Sequence, residues 1–413
     1  MQAAPPPGDH PTAEVGSRSR GRVAGMRLVL LFGVVSFFAD MTYEGGRSIV
    51  GPYLAILGAS ATAVGVVAGG GELLGYALRL FSGRLADSTR AYWPITIAGY
   101  VLQMAAVPAL ALAGSWELAA VLIVAERVGK AVRNPPRDAM LAHAGSEMGR
   151  GWAFGVHEAM DQVGALAGPL VAAAVLAMHG RYEAAFALLA IPAVLTLATL
   201  GVARLSYPDP TGSASRPVDA HPGGLPRAFW IYVAGAGLVA AGFADFSLMA
   251  FHFEKASTVS ASLVPIFYSA AMGASGLGSL VFGRLFDRRG IVVLVPLTAG
   301  AALFAPLAFL GSAVPAFIGT LLWGVGMGVH ESVMAAAVAE MVPSARIASA
   351  YGLFNLLYGV AWFVGSALMG VLYDVSVPAL VIFSVAVELA AIPVFIRLRR
   401  SPGLAGPAGL GGR

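Results

Sequence analysis

The chain has 413 residues, of which 58% are hydrophobic and 12% charged, with 26 basic against 22 acidic side chains and no cysteine. A mean hydropathy of +0.77 excludes a water-soluble globule, and the lack of cysteine excludes disulfides and thiolate metal sites. The isoelectric point near 9.4 reads as a topology signal rather than nucleic-acid binding, because the arginines flank apolar stretches.

Residues 1–26 are rich in Pro, Gly and Arg, without the apolar core or cleavage pattern of a signal peptide, and are expected to form a disordered cytoplasmic tail. A helix needs about twenty apolar residues to cross roughly 30 Å of hydrocarbon. Such stretches lie near 27–50, 61–82, 92–113, 116–135, 151–178 and 184–204, then near 228–251, 262–283, 291–311, 315–340, 350–373 and 377–397. The Pro/Ser/Gly/Asp-rich segment 205–226 separates two halves, 27–204 and 227–398, and 399–413 is a second cytoplasmic tail. The expectation is an all-α membrane protein of twelve transmembrane helices in two six-helix, pseudo-symmetric halves. Arginines cluster before span 1 and after spans 2, 4, 6, 8, 10 and 12, whereas the opposite loops offer only Arg181, Lys255 and Arg47. Both termini are therefore expected on the cytoplasmic side of the plasma (inner) membrane.

The halves repeat one another. Gly83-Arg84-Leu85-Ala86-Asp87 returns 200 residues later as Gly283-Arg284-Leu285-Phe286-Asp287; Phe38-Ala39-Asp40 matches Phe243-Ala244-Asp245; Ala153-Phe154-Gly155 with Gly168 matches Ala350-Tyr351-Gly352 with Gly365. Gly283 through Gly290, with Asp287 and Arg288, fits the loop signature Gly-x-x-x-Asp-Arg/Lys-x-Gly in full. The first copy keeps Gly83 and Asp87 but has Ser88 in place of the basic residue and Arg90 in place of the glycine. With these motifs the chain resembles the major facilitator superfamily over nearly its whole length. The resemblance implies a secondary transporter working by alternating access. It also implies a gate at which Asp87 meets a helix terminus across the two halves, where a carboxylate gains roughly 0.3–1 kcal/mol.

Charge inside the bilayer costs at least about 2.5–3.5 kcal/mol per residue, so it marks a cavity or a partner. Spans 3, 6 and 9 carry none, and span 12 has only Glu388. Asp40, Glu44 and Arg47 fall on one face of span 1; span 2 adds Glu72 and Arg79; span 5 adds His157, Glu158 and Asp161. On span 4, Glu126, Lys130, Arg133 and Arg137 fall at i, i+4, i+7 and i+11, one stripe of one helix, next to Arg127. Lys130 is one of two lysines in the chain, and its charge calls for a nearby carboxylate, with Glu126, Asp40 and Glu44 the nominees. The second half offers Asp245 and His252 on span 7 and His330-Glu331 on span 10.

Two readings of this cluster stand: a salt-bridge network that fixes helix packing, or carboxylates that carry protons beside bases that bind substrate. Gly164-x-x-x-Gly168-Pro169 on span 5 partly matches the antiporter motif of the superfamily, with Ala173 and Ala174 in place of its closing glycines. Its small residues also suit close helix packing. The His-Glu pairs lack the second histidine of a zinc site, and no phosphate-binding loop is present. No cofactor, metal or catalytic residue is expected. The first expectation is a monomer that exports a small organic molecule in exchange for protons. The alternative is proton-coupled uptake of an anionic metabolite through Lys130, Arg133 and Arg137, and a receptor or scaffold is the alternative of another class.

Overall fold

The computed structural model describes residues 11–145, 150–208, 224–342 and 347–399, and among them there is no strand. Most of the 205–226 linker and nearly all of the 399–413 tail lie outside the described residues. Helix α1 spans Pro11–Ile56, α2 Ala61–Thr89, α3 Tyr92–Ala109, α4 Trp116–Ala144, α5 Arg150–His179, α6 Tyr182–Leu188 and α7 Ala190–Ser206. The second half holds α8 Arg227–Gly242, α9 Phe246–Lys255, α10 Leu263–Arg289, α11 Leu294–Ala301, α12 Phe304–Leu310, α13 Ala313–Met341, α14 Ile347–Val375 and α15 Val377–Arg399. Helix α1 begins inside the segment read as a tail: Pro11 suits the first helical position, and no other proline interrupts residues 12–26.

Ten helical segments among the described residues are long and apolar enough to cross a membrane. Helix α4 is not one of them, because its charges exceed what an apolar window tolerates. One of the ten, Leu263–Leu310, has 48 residues; at about 1.5 Å per residue it is more than twice the thickness of the hydrocarbon core. It folds back on itself after α10, where Gly290 takes φ 63°. Counting it as two passes and adding α4 accounts for the twelve spans read from the sequence.

That turn separates the two copies of the loop motif. At the equivalent end of α2 the chain also turns left-handed, but through Arg90 at φ 55°. A side chain there costs about 1–2 kcal/mol, so the turn survives the missing glycine at the expense of strain.

Span 7 is not continuous. Helix α8 stops at Gly242, and α9 starts at Phe246 behind an N-cap in which Asp245 Oδ1 accepts from the Ser247 N–H at 2.9 Å. Within the first half, α1 packs along α5. A Cβ on Gly164 or Gly168 would collide with the α1 backbone at Phe37 or Met41, so these glycines set the closeness of that pair. The halves meet where α1 packs on α9, α2 on α14 and α5 on α10. We call the end at which α1 starts and α15 finishes the tail side, and the opposite end the far side.

Candidate functional site

Where α1, α2, α4, α13 and α14 converge, a cavity of about 280 Å³ lies between a charged wall and an aromatic one. The charged wall, from the first half, carries Arg47, Arg79, Arg127 and Lys130 against a single carboxylate, Glu72. Phe354, Tyr358 and Trp362, with His330, form the facing wall.

The cations are held by a branched network. Glu72 Oε1 accepts from Arg127 at 2.9 Å and lies 3.5 Å from Arg47 Nη2, which also reaches Asp245 Oδ2 at 3.2 Å across the halves. Both arginines donate to the Tyr43 hydroxyl. Lys130 departs from expectation: among the described residues it makes no ion pair within 4.0 Å, and its Nζ sits 3.7 Å from the centre of the Tyr43 ring. The ring face attracts the ammonium through its quadrupole, and Asp40 and Glu44, two of the nominated carboxylates, act on it from beyond ion-pair distance.

The stripe on α4 is divided between neighbours. Glu126 accepts from Gln103 Nε2 at 2.8 Å, and Arg133 donates to Gln103 Oε1 at 2.6 Å and to the Tyr100 hydroxyl at 2.8 Å, so both turn toward α3. Arg137 pairs with its neighbour Asp138 at 2.7 Å. Beside Arg133, whose Nη2 lies 3.9 Å from Asp40, the carboxyl groups of Asp40 and Asp161 come within hydrogen-bond reach of each other. His157 joins Ser36 at 2.7 Å, tying α5 to α1. Glu44 accepts from the Tyr268 hydroxyl in the other half. Glu158 is exposed and bonds Gln162 on its own helix, apart from this cluster. His330 Nδ1 meets the Tyr358 hydroxyl at 2.9 Å, His252 meets that of Tyr373 at 3.0 Å, and the Glu331 side chain lies outside the described set.

Several site residues carried no charge to betray them: Tyr43, Tyr76, Gln103, Asn355 and the aromatic wall. The wall did leave a signal, since Phe354, Tyr358 and Trp362 recur at i, i+4 and i+8 on α14.

Comparison with known proteins fits this architecture. The family model described as Major Facilitator Superfamily matches residues 31–366. The chain belongs to that superfamily. A protein of Mycobacterium tuberculosis described as uncharacterized is 42% identical over 399 residues, covering 95% of this chain and 97% of that one. A protein of Methanocaldococcus jannaschii described as an uncharacterized MFS-type transporter is 30% identical over 141 residues, 34% of this chain and 35% of its own length. Among solved structures, the nucleoside transporter NupG superposes with a TM-score of 0.71 at 15% identity, covering 91% of this chain and 99% of that one. A bacterial homologue of the human lysosomal transporter Spinster, inward-facing and unoccupied, gives 0.66 at 17% identity, covering 96% and 100%. The chain is therefore a multi-pass membrane transporter of a small-molecule substrate, not an enzyme.

As in other members of the superfamily, the question is which gate is shut. On the tail side, Asp87 accepts from the Tyr92 hydroxyl at 2.9 Å within its own half, and among the described residues no helix terminus of the other half donates to it. Asp287 and Arg288 are exposed, and Gly283 has open space around its Cα. An aspartate on a helix terminus across the halves is found instead on the far side. Asp374, near the end of α14, accepts from the Ala61 and Thr62 N–H groups at 3.1 and 2.9 Å and from the Thr62 hydroxyl at 2.6 Å. Nearby, the Tyr182 hydroxyl donates to Glu254 at 2.9 Å, and Gly51 abuts the Ser247 carbonyl. The far side is closed in this conformation.

Proposed function

We propose that this transporter carries a small organic anion with a planar, apolar body, by alternating access coupled to proton movement, in the cell membrane with both termini cytoplasmic. One observation carries the substrate class. The lining of the cavity sets four cationic side chains, Arg47, Arg79, Arg127 and Lys130, against the one carboxylate of Glu72. Cations held inside a bilayer call for counter-charge, and an anionic ligand rich in acceptors supplies it to the guanidinium and ammonium groups. The aromatic wall supplies a stacking face for a ring. This supports the anionic substrate that Lys130 suggested in the sequence, while Arg133 and Arg137 are engaged elsewhere.

The Asp40–Asp161 pair supports the proton coupling, because two carboxyl groups within hydrogen-bond reach are accommodated by one shared proton. Arg133 nearby lets the charge of the pair change without leaving a bare anion in the bilayer. Benzoate and benzamide share a ring and differ in charge, so they make a direct test on the purified protein. Benzoate is expected to raise the melting temperature and to be lost as a ligand in Arg127→Gln; equal stabilisation by benzamide refutes the anion reading. In proteoliposomes the sign of proton flux on adding the anion assigns direction, with protons moving against the anion for the export expected from Gly164-x-x-x-Gly168-Pro169 and with it for uptake.

A further inference from the structure

Glu388 lies midway along α15 and is fully buried, and neither of its carboxylate oxygens has a hydrogen-bond partner among the described residues. Helix α15 packs against α8, α11, α12 and α14. Among the described residues no charged or titratable group on these helices acts on it; burial is the only influence it feels.

What it touches is the broken end of α8. Glu388 Cγ lies 2.7 Å from where a Cβ on Gly242 would be, and the Ser384 carbonyl lies 2.9 Å from the same point. Gly242 is the last residue of α8, and the chain beyond it runs extended through Phe243 before α9 begins. A helix that stops inside the membrane leaves its last carbonyls without intrahelical donors. Two carbonyls at this break are answered from other helices, Gly242 O by the Ser384 hydroxyl at 2.6 Å and Ala244 O by Trp323 Nε1 at 2.8 Å. The end nevertheless carries the negative pole of α8. A bare carboxylate against it is disfavoured twice, by the missing counter-charge and by the dipole, whereas a carboxylic acid is compatible with both.

We propose that Glu388 is a proton-binding site in its own right, protonated in this conformation and releasing its proton when the α8–α9 joint moves and water reaches it. The inference rests on the proton-coupled transport reading, to which it adds a second proton site, in the half opposite Asp40 and Asp161. The joint connects it to the gate: three residues past Gly242, Asp245 is held by Arg47 of α1. Any motion that parts α1 from α9 therefore pulls on the backbone against which Glu388 rests.

The test uses the full-length protein in proteoliposomes and Glu388→Gln, a neutral side chain of the same size. The variant is expected to fold, to keep the benzoate-induced thermal shift of the parent, to lose the infrared carbonyl band of a buried carboxylic acid, and to move one proton fewer per anion. An unchanged pH profile and proton count overturn the proposal. So does sodium, at constant ionic strength, stabilising the parent but not the variant. A variant that does not fold also overturns it, since a neutral isostere must satisfy a site that is neutral here. If benzoate stabilises neither protein, the anion reading fails, while the infrared band and its loss at high pH still decide Glu388.

Discussion

Asp374 offers the most direct handle on the transport cycle, because its carboxylate spans the two halves at the far gate and touches nothing in the cavity. It accepts three hydrogen bonds from the first residues of α2. A capping side chain at a helix N-terminus contributes about 1 kcal/mol, and a carboxylate there adds roughly 0.3–1 kcal/mol through the helix dipole. Exposure to solvent keeps the sum near ~2 kcal/mol, which is a factor of about thirty in a two-state ratio. Asp374→Ala is thus expected to raise the far-open population about thirtyfold, and Asp374→Asn, which keeps an acceptor but not the charge, about threefold. The readout is straightforward in a chain without cysteine. Val64 is fully buried one turn into α2, so a Val64→Cys background reacts with an impermeant maleimide only when the far side opens. The labelling rate should rise from the parent to Asp374→Asn to Asp374→Ala, and the difference should shrink in high salt. A rate in Asp374→Ala within twofold of the parent refutes the assignment of this contact as the far-side latch.

Other outcomes follow from the same structure. Arg90→Gly removes left-handed strain of about 1–2 kcal/mol, offset in part by the freer unfolded chain that a glycine allows, and should raise the melting temperature without changing transport; a lower melting temperature contradicts the strain argument. Lys130→Met should leave a folded protein that binds benzoate about ten- to a hundredfold more weakly, or roughly 1.4–2.8 kcal/mol, as read by titration calorimetry; unchanged affinity removes Lys130 from the site. From outside intact cells, impermeant reagent should modify Ala256→Cys and spare Ser215→Cys, and the reverse pattern inverts the proposed topology.

Much of the architecture was legible because it follows from period and composition. The spans, the internal repeat and the crowding of charge onto α1, α2, α4 and α5 are properties of local sequence, and the structure gathers five of those charges, Arg47, Glu72, Arg79, Arg127 and Lys130, around one cavity. Other features were local but quieter. The Asp245 cap that begins α9 has the signature of a helix start, yet it sits inside a continuous apolar run and was absorbed into span 7. The aromatic stripe of α14 has the spacing of an ordinary core face. What could not be read were pairings set by folding alone, such as Asp374 with Thr62, 312 positions away in the chain. Lys130 shows the limit of charge arithmetic: Asp40 and Glu44 do act on its charge, but its direct contact is a tyrosine ring, which carries no charge to count.

In the proposed cycle, the anion and the gate compete for the same guanidinium groups. Arg47 is shared among Glu72, the Tyr43 hydroxyl and Asp245 of the opposite half, and Arg127 is shared between Glu72 and Tyr43. At about 4 Å and an effective dielectric near 20, one unit charge acts on another with roughly 4 kcal/mol. An anion entering the cavity therefore rivals Asp245 for Arg47 and weakens an inter-half contact at the midplane, while the latch at Asp374, on the surface, is worth only about half as much. The two terms differ by about 2 kcal/mol, a gap that an anion's difference in affinity for the two states can offset. A carrier requires that balance, since a ligand shifts a conformational equilibrium only by its difference in affinity for the two states. A midplane network that far outweighed the latch would hold the protein in one conformation whatever was bound.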